Sequence, residues 1–197
     1  MTLARVTFAT VLTMLRIALV PIFGVLWASG SLPTAFIVFV AAAVTDIADG
    51  FVARYFHQKS ELGALLDPAA DKLMLLVSYL VAAATATVPV WLAALVIGRD
   101  AVILFGAGLF KLALPGRYDP ERWRPTRIGK YATFSHTIVI ALALLAHAFA
   151  QSALLPWLQV IMVIAAILTI ISAAQYFTTG VAALMRPPTQ GEKDVHA

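Results

Sequence analysis

Asp46, Asp49, Asp67 and Asp71 stand inside two otherwise apolar stretches of sequence. A charge at the centre of a membrane helix costs about 2.5–3.5 kcal/mol on insertion scales, so four cost on the order of 10 kcal/mol unless something compensates them. Asp46 and Asp49 are spaced i,i+3, and Asp67 and Asp71 i,i+4, which puts each pair on one face of a helix. At a rise of about 1.5 Å per residue, Asp46 lies roughly 12 Å from Arg54 and Asp71 roughly 15 Å from Glu61, so the two pairs reach similar depths. Carboxylates gathered at one depth repel one another unless cations lie between them, and an all-oxygen set favours Mg²⁺ or Mn²⁺ over zinc. The pattern points to a two-metal clamp. Ion-paired helix glue, with Lys72 and Arg54 as partners, leaves the acidic excess unexplained.

The elements that position these acids are helices in lipid. The chain has 197 residues, 61% hydrophobic and 12% charged, with a mean hydropathy of +0.91, above what a soluble domain carries. Apolar runs predict an all-α, polytopic membrane protein with six spans: 6–27, 34–55, 62–85, 89–110, 131–150 and 154–184. Together they form one domain over 1–186, and 187–197 reads as a disordered cytoplasmic tail. Val6–Trp27 reads as a retained helix rather than a signal peptide, because it holds Arg16 and lacks a small-residue cleavage site.

Charge sets the orientation. Arg5, Arg54, Lys59, the basic loop from Lys111 to Lys130, Arg186 and Lys193 all fall on one side, which the positive-inside rule makes the cytoplasm. Trp27, Trp91 and Trp157 fall at the opposite helix ends, where the headgroup layer suits them. The small residues Gly50, Ala53, Gly63 and Ala70 are expected to let the second and third helices approach each other. With no cysteine, thiolate metal sites and cysteine nucleophiles are excluded. The basic residues face anionic lipid headgroups rather than nucleic acid. A metal or proton transporter would need acids towards the far side, where these helices carry Trp, Ala and Val.

Written out, the acidic stretch is Asp46-Ile-Ala-Asp49-Gly50-Phe-Val-Ala53-Arg54, then eight residues to Gly63, three to Asp67 and three to Asp71. It resembles the signature of the CDP-alcohol phosphatidyltransferases at every fixed position. That resemblance implies the CDP-alcohol phosphotransferase fold and a reaction in which an alcohol displaces CMP from a CDP-linked lipid. It also implies two divalent ions, Mg²⁺ or Mn²⁺, on Asp46, Asp49, Asp67 and Asp71, with Asp71 as general base. Gly50, Arg54 and Ser60 are assigned by the same resemblance to the CDP-lipid, although Ser60 also suits the N-cap of the third helix. Members of this fold are commonly homodimers.

Leu12-Thr13-Met14-Leu15-Arg16, with Pro21, is similar to the first helix of bacterial phosphatidylglycerophosphate synthases. Thr13 is then a nucleotide contact or an interhelical hydrogen bond, and Arg16 either faces the site or snorkels. A glycerol 3-phosphate acceptor would need cations, for which Arg99, Arg127 and Lys130 are the candidates. Arg99 and Asp100 also have the sign to neutralise each other. Arg124-Pro125-Thr126-Arg127-Ile128-Gly129-Lys130 with Thr133 is similar to the corresponding loop of both glycerophosphate-accepting enzymes and cardiolipin synthases, and Arg99-Asp100 leans towards the latter. The leading expectation is phosphatidyl transfer from CDP-diacylglycerol to glycerol 3-phosphate at the cytoplasmic face of a bacterial inner membrane. Transfer to phosphatidylglycerol is the alternative.

Overall fold

A chain this apolar has to satisfy its backbone polar groups within each segment, and the helix does so at every length. The computed structural model describes residues 8–55, 61–113 and 126–185. Among them it places α1 (Phe8–Ala28), α2 (Leu32–Tyr55), α3 (Glu61–Ala84), α4 (Val90–Ala113), α5 (Arg127–Ala148) and α6 (Leu155–Leu184), with a short 3₁₀ turn, Ser152–Leu154, before the last. The helix limits follow the apolar runs to within a few residues. Three of these elements are long and apolar enough to cross a membrane, over 11–28, 127–148 and 152–182, and a shorter apolar run covers 32–46. The protein is all-helical over its described residues and has the make-up of a membrane protein.

The tight connections have local causes. Gly30, at a φ of 80°, turns the chain between α1 and α2, and the Ser31 amide donates to the Leu26 carbonyl at 2.9 Å. Pro156 stands in the first turn of α6, where a missing N–H removes no intrahelical bond.

Helix α1 packs along both α2 and α3, while α5 lies against α2, α3 and α6. The direct approach of α2 to α3 expected from small residues rests on Gly50, Ala53 and Gly63, whose side-chain surroundings lie outside the described residues. A Cβ on Gly24 would come within 2.9 Å of Val77 Cγ1, so the bare glycine sets the closeness of α1 to α3.

Trp27 stands at the end of α1. It is fully buried, edge-on to Phe23 with ring centroids 5.5 Å apart, and Phe23 in turn lies 5.9 Å from Phe39 of α2. Packing among these rings fixes the indole within the bundle. Trp91 and Trp157 are exposed.

Substituting Gly24→Leu forces a side chain into the α1–α3 seam. Stability should fall by about 1–3 kcal/mol, the usual cost of overpacking, read as a lower unfolding temperature in detergent.

Candidate active site

Arg16 of α1 is 2% exposed and ends between two helices. Its Nη1 lies 2.8 Å from Asp46 Oδ1 of α2 and 3.1 Å from Asp71 Oδ1 of α3. One nitrogen shared by two carboxylates brings both oxygens into a single site, although they come from residues 25 positions apart in the chain. The carboxylates themselves are about half exposed, at 49% and 55%. The guanidinium is therefore held inside the helix bundle while the acids face an open notch.

The notch leads into a cavity of about 170 Å³, lined by Arg16, Asp46, Asp71, Phe39, Thr133 and Thr137 among others. The two threonines come from one face of α5. Thr126 caps that helix, its hydroxyl accepting the Gly129 amide at 3.0 Å, which fixes where the first turn begins. Gly129, Thr133 and Thr137 then follow at four-residue intervals. A second hollow of about 370 Å³ lies at the opposite helix ends, among Pro89, His147, Leu158 and Gln159. None of the acids lines it, whereas Asp46 and Asp71 both line the smaller cavity.

Lys72, next to Asp71 on α3, points to a second charge cluster. Its Nζ contacts Asp100 Oδ2 of α4 at 2.5 Å, and Arg99 Nη1 contacts Asp100 Oδ1, also at 2.5 Å. Arg99 Nη2 donates to Ser172 Oγ of α6 at 2.7 Å, and its guanidinium lies 5.8 Å from the Tyr176 ring centroid, within cation–π range. A Cβ at Gly129 would stand 3.1 Å from Arg99 Nη2, so α5 also gives way to this arginine. Nearby, His136 joins α3 to α6, with Nδ1 3.3 Å from Tyr79 Oη and Nε2 3.1 Å from Thr169 Oγ1. His136 is therefore a packing residue.

The sequence-derived site residues divide into three groups. Asp46 and Asp71 are brought together. Thr13 is fully buried on α1 one turn before Arg16, whereas Arg99 is tied to Asp100 and Ser172 and Arg127 and Lys130 are exposed at the start of α5. The side chains of Asp49, Gly50, Arg54 and Asp67, and the whole of Ser60, lie outside the described residues, as does the tail from 186. Arg16, undecided from sequence, is the bridge. Lys72, considered from sequence as an ion-pair partner, pairs with Asp100, and Ser172 and Thr137 enter as new members. For Thr137 its spacing four residues after Thr133 was the available signal.

Among the described residues no group of three or more candidate metal ligands occurs, and the side chains of Asp49 and Asp67, named from the sequence as ligands, lie outside them.

Removing Arg16 leaves two facing carboxylates without their shared cation. Arg16→Met should destabilise the chelator-treated protein by about 1–2 kcal/mol, less than a fully buried pair because the acids are half exposed. Asp100→Asn, which strands Lys72 and the buried Arg99, should cost more, about 3 kcal/mol. Thermal unfolding of both variants in EDTA checks the order.

Residues 6–172 match the CDP-alcohol phosphatidyltransferase family. A CMP-forming cardiolipin synthase of Rattus norvegicus is 33% identical over 186 residues, covering 88% of this chain and 61% of the relative. One of Streptomyces coelicolor is 33% identical over 147 residues, covering 71% and 65%. The chain thus spans about three fifths to two thirds of the length of these relatives. A CDP-diacylglycerol–glycerol-3-phosphate 3-phosphatidyltransferase of Bacillus subtilis is 28% identical over 182 residues, covering 85% of this chain and 91% of the relative. With the match running through α1 to α5 and into α6, and the paired acids of α2 and α3 inside it, the chain belongs to the CDP-alcohol phosphatidyltransferase family.

Proposed function

We propose that this protein moves a phosphatidyl group from CDP-diacylglycerol to a glycerol hydroxyl of phosphatidylglycerol, forming cardiolipin and CMP in phospholipid biosynthesis. The observation that carries the proposal is the convergence of Asp46 and Asp71 on one buried guanidinium beside a small cavity, in a chain of this family. Asp46, Asp49, Asp67 and Asp71 would hold divalent cations, Mg²⁺ or Mn²⁺, which when bound neutralise the pyrophosphate and the departing CMP.

The protein's own groups carry the rest. Asp71, half exposed at the cavity mouth, accepts the proton of the acceptor hydroxyl. The hydroxyl oxygen bonds to the phosphorus that bears diacylglycerol, and the bond from that phosphorus to the CMP phosphate oxygen breaks, so CMP leaves with the electron pair. Asp46 and Arg16 hold Asp71 in register, while Gly50, Arg54, Ser60 and Thr13 are proposed to receive the CDP-lipid. Six spans with both termini in the cytoplasm would put this site at the cytoplasmic face, supported by the one-sided placement of Lys and Arg.

Charge favours phosphatidylglycerol as the acceptor. Arg99, the most buried of the cations considered for an acceptor phosphate, is already engaged by Asp100, and so is Lys72. The net positive charge left for a dianion is correspondingly small, whereas a phosphodiester carries a single negative charge. The Rattus and Streptomyces relatives are named for cardiolipin synthesis, in keeping with the Arg99-Asp100 pattern. Glycerol 3-phosphate is the second reading, favoured by the first-helix motif around Thr13 and Arg16 and by a Bacillus relative of nearly matching length. Arg127 and Lys130, exposed at the start of α5, are the cations that reading would use.

Purified protein with CDP-diacylglycerol and Mg²⁺ should release CMP with phosphatidylglycerol and far more slowly with glycerol 3-phosphate. Asp71→Asn should lower the rate by about 10²–10⁴-fold. CMP release with glycerol 3-phosphate alone would reverse the acceptor assignment, and none with either acceptor would remove the transferase reading.

A further inference from the structure

Hydrogen-bond accounting in the small cavity narrows what can enter it. The Thr133 hydroxyl donates to the Gly129 carbonyl at 3.1 Å, and the Thr137 hydroxyl donates to the Thr133 carbonyl at 3.3 Å. A hydroxyl has one hydrogen and two lone pairs, so with both hydrogens directed along α5 the two oxygens offer acceptor capacity to the cavity they line. Asp46 and Asp71, on the same cavity, are acceptors as well, and Arg16, a donor on the same lining, is engaged by both of them. Phe39, Ala42 and Met74 supply apolar wall. The complementary ligand is neutral, rich in hydroxyl donors and small, with carbon faces that tolerate apolar contact. A phosphate brings only acceptors and negative charge, and an acyl chain brings no donors.

We infer that Thr133 and Thr137 form an acceptor-alcohol subsite that selects a glycerol unit by receiving the hydrogen bond of its non-reacting hydroxyl, while the reacting hydroxyl faces Asp71. The inference rests on the phosphatidyl-transfer reading and deepens it. A glycerol unit is common to phosphatidylglycerol and to glycerol 3-phosphate, so the chemistry of the subsite is the same for either source. The volume of about 170 Å³ suits a headgroup fragment and is below the usual range for a drug-sized ligand.

The test uses the full chain with CDP-diacylglycerol and Mg²⁺. Four acceptors are compared: phosphatidylglycerol, phosphatidyl-1,3-propanediol, glycerol 3-phosphate and 3-hydroxypropyl phosphate. The second and fourth lack only the non-reacting hydroxyl. The wild type should prefer whichever glycerol acceptor it uses over its deoxy partner by at least about ten-fold in kcat/KM, the loss expected for one unmade hydrogen bond in a buried polar site. Thr133→Val and Thr137→Val should lose that preference by raising KM for the glycerol acceptor and leaving the deoxy acceptor little changed. Thr133→Ser and Thr137→Ser should retain it.

If the Val variants slow both members of a pair equally, or keep the preference intact, the threonines are structural and the inference fails while phosphatidyl transfer stands. If the wild type releases CMP with none of the four, the transfer reading fails and takes the subsite with it. Which pair shows the preference identifies the lipid or the free phosphate as the source.

Discussion

Two carboxylates and one guanidinium, brought together from three helices, are the constraint around which this bundle is arranged. An acid inside an apolar helix is tolerated only where a counter-charge or an aqueous notch receives it, and here both conditions are met. Arg16 comes from inside the bundle and the notch lies outside. Because the cation rises from α1, that helix must run between α2 and α3, and the close contact at Gly24 follows from the same demand. The aromatic stack of Trp27, Phe23 and Phe39 holds α1 to α2 further along, so the bridge joins helices already locked at their other ends.

The second cluster is built on the same rule with the opposite balance. Asp100 is shared by two cations, Lys72 and Arg99, where in the first cluster one cation is shared by two acids. Since Asp71 and Lys72 are neighbours on α3, a rotation of this helix would disturb both clusters together. The site acids are therefore coupled to α4 and α6 through Lys72, Arg99 and Ser172. Gly129 contributes by leaving room for Arg99, while the next two turns of α5 present Thr133 and Thr137 to the cavity beside Asp46 and Asp71. One face of α5 thus serves the charge cluster at its start and this cavity further along.

Much of this was legible in the sequence. Helix positions follow from apolar runs, since lipid forces each run to satisfy its own backbone. The acids declared themselves because their cost at membrane depth demands a use, and of the four Asp46 and Asp71 are seen to meet in one place. What a single helix cannot reveal is the rotation of its neighbour. Arg16 was therefore ambiguous between facing the site and snorkelling, and the role of α1 between α2 and α3 was not apparent. Arg99-Asp100 was visible as a local pair, but Lys72 and Ser172 join it from far along the chain.

The central claim is that Asp46 and Asp71 form one cation site serving a CDP-lipid. Equilibrium Mn²⁺ binding to the purified protein with CMP present, followed by electron paramagnetic resonance, tests it most directly. The account predicts saturable binding that is lost or weakened by at least about ten-fold in Asp46→Asn and in Asp71→Asn alike, since one ion depends on ligands from both helices. Wild-type affinity retained in both variants would contradict it.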